Sequence, residues 1–68
     1  MTMKMSIGEN IKQYRVKLGL SQEEFANKSG VKYTTLTKIE SNVIKNPSIL
    51  VISKIAKALN IPIEKLIK

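Results

Sequence analysis

The 68-residue chain has no cysteine and no histidine. Disulfide staples and the usual structural zinc sites are therefore excluded, as is catalysis built on a thiol or an imidazole. Aromatic residues are almost as scarce, limited to Tyr14, Phe25 and Tyr33, so the core must be aliphatic, and ten isoleucines supply it. No apolar run approaches the roughly 20 residues needed to span a bilayer. The N-terminal MTMKMSIGEN lacks the apolar stretch of a secretory signal, which points to a cytoplasmic protein. Carboxylates are few: five stand against eleven Lys and one Arg, a net charge of +7. Such a balance favours polyanionic partners, nucleic acid or an anionic membrane surface, although a Lys-rich surface also serves solubility alone. The length allows one domain with one small core. Helix packing, with or without a partner subunit, has to hold it together.

Residues 1–5 show no pattern and read as a flexible leader. Ser6 with Glu9 forms an S-x-x-E capping box, and Ile7, Ile11, Tyr14 and Leu18 then recur at spacings of four, three and four. A first helix is expected over 7–18, stopped at Gly19. A second box, Ser21 with Glu24, opens a short helix carrying Phe25 and Ala26, with Glu23 and Glu24 in its favourable first turn. Capping accounts for these two adjacent carboxylates, which removes the case for acid–base catalysis. Gly30 marks a reversal and Val31 follows as a buried anchor. A third helix is expected from about Tyr33 to Glu40, with Leu36 and Ile39 inward and Tyr33, Thr34, Thr37 and Lys38 outward. Lys32 stands where a Ser, Thr, Asn or Asp would normally cap it, placing positive charge at the positive end of the helix. A nearby DNA phosphate would relieve both defects.

Ser41–Pro47 reads as a loop with Asn42 in the left-handed conformation. Ser48 caps a fourth helix whose Ile49, Ile52, Ile55, Ala56 and Leu59 form an apolar stripe, closed by Asn60. Pro62 opens a fifth, with Ile63, Leu66 and Ile67 turned to the core. Val43 and Ile44 are apolar in a loop that should be wet; they either fold over the core or form a dimer contact. No repeat, low-complexity tract or linker interrupts 6–68.

Two short helices around a tight Gly-containing turn, within Ser21–Glu40, form a helix-turn-helix unit, which can set its second helix in the DNA major groove. Between Val31 and Ile39 there is no carboxylate, as suits an element lying against phosphates. A small helical bundle without that role would also contain such helix pairs.

Further residues resemble the Cro/repressor-type (Xre-like, lambda-repressor-like) helix-turn-helix domains of phage and bacterial transcriptional regulators. They are Ile11-x-x-Tyr14-Arg15-x-x-x-Gly19-Leu20-Ser21-Gln22-Glu23-Glu24, Ser29-Gly30-Val31, Leu36-x-x-Ile39-Glu40, Asn46-Pro47-Ser48 and Ile55-Ala56-Lys57-Ala58-Leu59. The resemblance covers 6–68 and implies an all-α, compact five-helix lambda-repressor-like domain. Helices 2 and 3 would form the helix-turn-helix, with helix 3 in the major groove. It implies base reading by Lys32, Tyr33, Thr34, Thr37 and Lys38, and phosphate binding by Gln22, Ser41, Asn42, Lys45 and Asn46. It also implies a structural ion pair between Arg15 and Glu40. Arg15 is the only Arg in the chain, which fits a site needing a planar bidentate fork. Lys32 in place of a hydroxyl cap, and Asn42 where Gly is common, depart from the family pattern.

The expected function is sequence-specific binding of double-stranded DNA by a small transcriptional regulator, a repressor acting as a homodimer on a palindromic operator. Nucleoid association would follow. Antitoxins with a toxin partner and restriction–modification controller proteins share this fold, and an interaction module for an acidic partner is the reading from a second class. No enzyme activity, cofactor, metal or membrane partner is expected: there is no glycine-rich phosphate loop and no clustered acidic metal site.

Overall fold

The computed structural model describes residues 5–67, so most of the expected leader (1–4) and Lys68 lie outside the described residues. Local signals start and stop most of the helices. Ser6 Oγ accepts the Glu9 N–H while Glu9 Oε1 accepts the Ser6 N–H, opening α1 (Ile7–Lys17). Ser21 and Glu24 repeat the arrangement for α2 (Gln22–Ser29). Each box satisfies two amides that a helix start leaves bare. Gly30, at φ 76°, ends α2 with its N–H on the Ala26 carbonyl, a left-handed conformation that costs a side-chain-bearing residue dearly. Helix α3 (Tyr33–Glu40) follows two residues later and ends before Asn42, which takes the expected positive φ, 66°. Ser48 Oγ accepts the Val51 N–H to open α4 (Ile49–Leu59), and Asn60 closes it at φ 59°. A single turn, α5 (Glu64–Ile67), completes the described chain.

Three boundary or packing expectations are corrected. Helix α1 stops at Lys17; Leu18 is its C-cap, bonded to the Tyr14 and Arg15 carbonyls, and is 49% exposed, so it does not extend the apolar face. Ile49, the first residue of the expected apolar stripe of α4, is 68% exposed and does not join the core. Ile67 does not turn inward: the α5 turn points Leu66 into the core instead and leaves Ile67 54% exposed.

The core is aliphatic apart from one ring. Ile11, Phe25, Leu36, Ile39, Ile55 and Leu66 are fully buried, with Ala26, Val31, Ile52, Ala56 and Leu59 nearly so. Burying each large side chain is worth about 1.5–3 kcal/mol, the main force ordering helices too short to stand alone. Helix α1 packs on α3, α4 and α5, while α2 packs on α3 and α4. The α1–α3 crossing is close at Gly8: a Cβ there would collide with the Ile39 carbonyl oxygen and lie 3.0 Å from its carbon. Asn10 Nδ2 donates to the Leu66 carbonyl at 2.8 Å, tying α1 to α5. The consequence of this packing is that α3 has one face clamped and one face free.

Candidate nucleic-acid interface

The clamped face of α3 carries Leu36, Ile39 and Glu40, all buried. Opposite it, Lys32, Tyr33, Thr34 and Lys38 are exposed and Thr37 is half-buried. At 3.6 residues per turn, positions 33, 34, 37 and 38 fall within an arc of roughly 140°. The structure therefore gathers Tyr33, Thr34, Thr37 and Lys38 of the expected base readers on one surface, with Lys32 set apart at the N-cap. Thr37 Oγ1 donates to the Thr34 carbonyl at 2.9 Å, so its hydroxyl proton is used within the helix and its methyl group is left for outward contact. Lys32 is the N-cap and makes no side-chain capping bond. The start of α3 thus presents uncapped amides and a cation together, both suited to an anion.

The expected phosphate binders divide into two groups. Past the C-terminus of α3, the N–H groups of Val43 and Ile44 both reach the Lys38 carbonyl, which folds the loop back against the helix. Asn42, Lys45 and Asn46 line one wall of a groove there, and Ser41 Oγ turns back to the Lys38 carbonyl at 3.3 Å. Of the two apolar loop residues, Ile44 packs against the core and Val43 is 69% exposed.

Gln22 lies elsewhere, at the first position of α2. Its Nε2 donates to Glu40 Oε1 at 3.1 Å. The same carboxylate takes two bonds from Arg15, Nε to Oε2 at 2.8 Å and Nη2 to Oε1 at 3.0 Å, and Arg15 Nη1 donates to the Leu20 carbonyl at 2.7 Å. Arg15 and Glu40 are both buried, and among the described residues no buried side-chain polar atom lacks a partner. This constellation joins α1, the α1–α2 turn, α2 and α3. A glutamine amide has two N–H donors, so one remains for a phosphate after the bond to Glu40. Sequence reasoning missed the Gln22–Glu40 bond: eighteen residues separate the partners, and no local pattern signals it.

No group of three or more His, Cys, Asp or Glu could hold a metal ion among the described residues, and no helix there is long and apolar enough to cross a membrane.

A helix-turn-helix family model matches residues 11–66. The HTH-type transcriptional regulator SinR of Bacillus subtilis is 41% identical over 61 residues, covering 90% of this chain and 55% of SinR. The chain thus spans little more than half the length of that relative. An HTH-type transcriptional regulator of Archaeoglobus fulgidus is 41% identical over 56 residues, 82% of this chain and 79% of its own length. The crystal structure of SinR, a master regulator of biofilm formation, in complex with DNA has a TM-score of 0.85 at 42% identity, covering 88% of this chain and 95% of that one. The restriction–modification controller protein C.AhdI from Aeromonas hydrophila has a TM-score of 0.81 at 33% identity, over 88% and 89% of the two chains. On the model match and on these identities, the chain belongs to the helix-turn-helix family.

Proposed function

We propose that this protein binds double-stranded DNA sequence-specifically as a transcriptional regulator, a repressor acting as a homodimer on a palindromic operator in the cytoplasm, alongside the nucleoid. Residues 6–68 form the DNA-binding domain. The observation that carries the reading is α3 itself. It is pinned by Leu36, Ile39 and the Arg15–Glu40 pair on one side and bare on the other, with no carboxylate from Val31 to Ile39. SinR, similar over most of this chain, has been crystallised with DNA, which supports the same use of the fold here.

Phosphate contacts position such a protein and base contacts specify the sequence. Lys45, Ser41, Asn42 and Asn46 of the loop, and the spare N–H of Gln22, hold the backbone. Lys32, Tyr33, Thr34, Thr37 and Lys38 then face base edges. Lysine donates to guanine O6 and N7, and the Thr37 methyl suits a thymine methyl. Selection of bound duplexes from random DNA, followed by footprinting, tests the proposal. A recurrent palindrome with half-sites about 34 Å apart is the expected result. Recovery of unrelated sequences would reduce the protein to a non-specific polycation. A second reading, control of a restriction–modification system, is favoured by the likeness to C.AhdI. The two roles share the interface and differ in the genes beside the operator; a toxin partner or an acidic protein partner would instead show as binding that survives without DNA.

A further inference from the structure

A second cationic surface lies away from α3. Lys28, Ser29, Lys54, Lys57 and Ala58 line a depression of about 310 Å³ between α2 and α4. All three lysines are exposed, and among the described residues the only salt bridge is Arg15–Glu40, so none of them is ion-paired there. No carboxylate occurs between Glu40 and Glu64, which leaves α4 with Lys54 and Lys57 and no acid. Lys28 and Lys57 stand in the last turns of their helices, where the dipole favours a cation. Lys54 has no such reason: it is mid-helix, three residues from Lys57 on the same face, where like charges repel. A surface kept only for solubility would intersperse the two signs. Three like charges are gathered instead, and an anion between them would turn their repulsion into attraction.

The chemistry of the rim selects the class of anion. A nucleic-acid surface adds polar donors and aromatic rings to its cations, as the proposed α3 surface does with Tyr33, Thr34, Asn42 and Asn46. The lining of the depression has none to spare: Ser29 Oγ already donates to the Ala26 carbonyl and accepts the Val31 N–H. What remains is three ammonium groups on flexible stems beside an alanine, point charges that adapt to carboxylates of varied spacing. We infer that the α2–α4 depression is a docking surface for a flexible acidic segment, rich in Glu and Asp, of a second protein. None of its lysines belongs to the DNA-reading face or to the phosphate-binding loop, so the chain can hold a duplex and this segment at once. Exposed ion pairs are individually weak and are screened by salt, so the contact is reversible. The inference goes beyond the DNA-binding reading and does not depend on it.

An amide-shift titration with a decapeptide of glutamate tests this, on the free chain and on the chain saturated with its selected duplex. On the duplex, where α3 is covered, the amides of Lys28, Ser29, Lys54, Lys57 and Ala58 should shift saturably with no release of DNA. A Lys28→Gln/Lys54→Gln/Lys57→Gln variant should bind the peptide about fivefold or more weakly at these amides. As a control, Lys32→Gln/Lys38→Gln/Lys45→Gln removes the same number of charges from the other surface. In the free chain it should keep the peptide affinity read at the depression within about twofold of wild type. All six lysines are exposed, and melting curves check that both variants fold. Equal losses in the two variants would reduce the effect to net charge and overturn the site. Release of the duplex by the peptide, with no shift around the depression, would overturn it as well. So would a ten-nucleotide single strand that takes the same amides more tightly than the peptide. Failure of the wild type to select any duplex would strike the DNA-binding reading alone, and the free-chain titrations would still decide the depression.

Discussion

At the scale of single residues, Arg15 and Lys38 separate support from recognition. Arg15 is the sole Arg among twelve basic residues, and three of its donors are fixed on Glu40 and on the Leu20 carbonyl. Lysine could not make that fork. Arg15→Ala would strand a nearly buried carboxylate, and breaking a buried pair from one side typically costs about 3–5 kcal/mol. A large fall in melting temperature is expected, and Glu40→Gln in the same background should recover part of it by removing the orphan charge. An Arg15→Ala variant that melts normally but no longer binds DNA would move Arg15 to the recognition surface. Lys38 is different: it is exposed on the free face of α3. Lys38→Ala should leave melting unchanged within about 0.5 kcal/mol. It should relax base preference at particular operator positions, at about 1–3 kcal/mol. An equal loss on every sequence would make Lys38 a phosphate contact.

At the scale of elements, what was legible in the sequence is what is local. The two S-x-x-E boxes, the positive φ of Gly19, Gly30 and Asn42, and the Ser48 cap each involve residues within one turn, so spacing alone exposes them. The Gly8–Ile39 approach, the Gln22–Glu40 bond and the outward Ile67 depend on how helices meet, and no spacing carries them. The candidate interface was legible in part: the free face of α3 follows from its period, the Arg15–Glu40 pair came through the resemblance, and the anchoring of Gln22 was hidden.

The capping boxes also set an acid limit. The Glu9 carboxyl lies below its usual value of 4.5 because the Ser6 backbone N–H, then the Ser6 hydroxyl, favours its charged form, and Ser21 acts likewise on Glu24. Carboxyls lowered by folding contribute stability above their unfolded value and lose it as pH falls through the folded one, so the loss begins just below 4.5. Glutamine still accepts the box hydrogen bond. Glu9→Gln/Glu24→Gln should therefore flatten the dependence of melting temperature on pH below 4.5. A slope equal to wild type would show that other groups govern acid unfolding. The start of α3 makes the opposite case. Lys32 leaves its amides uncapped, and Lys32→Ser should stabilise the fold by about 0.5–2 kcal/mol. The same change should weaken DNA binding, because the new hydroxyl occupies amides that would otherwise meet phosphate. A variant gaining stability with no loss of affinity would show that the missing cap has no bearing on DNA.

At the scale of the whole molecule, a charge of +7 on so small a chain makes association with DNA a counterion problem before it is a problem of base reading. Each phosphate neutralised by a lysine releases condensed cations, giving a slope of log affinity against log salt of about −0.9 per contact. On the proposed surface Lys45 of the loop is the lysine assigned to phosphate, and Lys38 on α3 and Lys32 at its N-cap are assigned to base edges, all three exposed. Lys28, Lys54 and Lys57 surround a shallow depression between α2 and α4 instead, outside the proposed surface. Neutralising them should leave the slope in place, whereas Lys45→Ala should reduce it by about 0.9 per bound copy and weaken all sequences alike. If the Lys28, Lys54 and Lys57 substitutions flatten the slope and Lys45→Ala does not, the duplex lies across α2 and α4, and α3 cannot be the reading helix. Salt titrations of these variants on one selected duplex therefore locate the DNA without a structure of the complex, because the slope counts which lysines stand over phosphate.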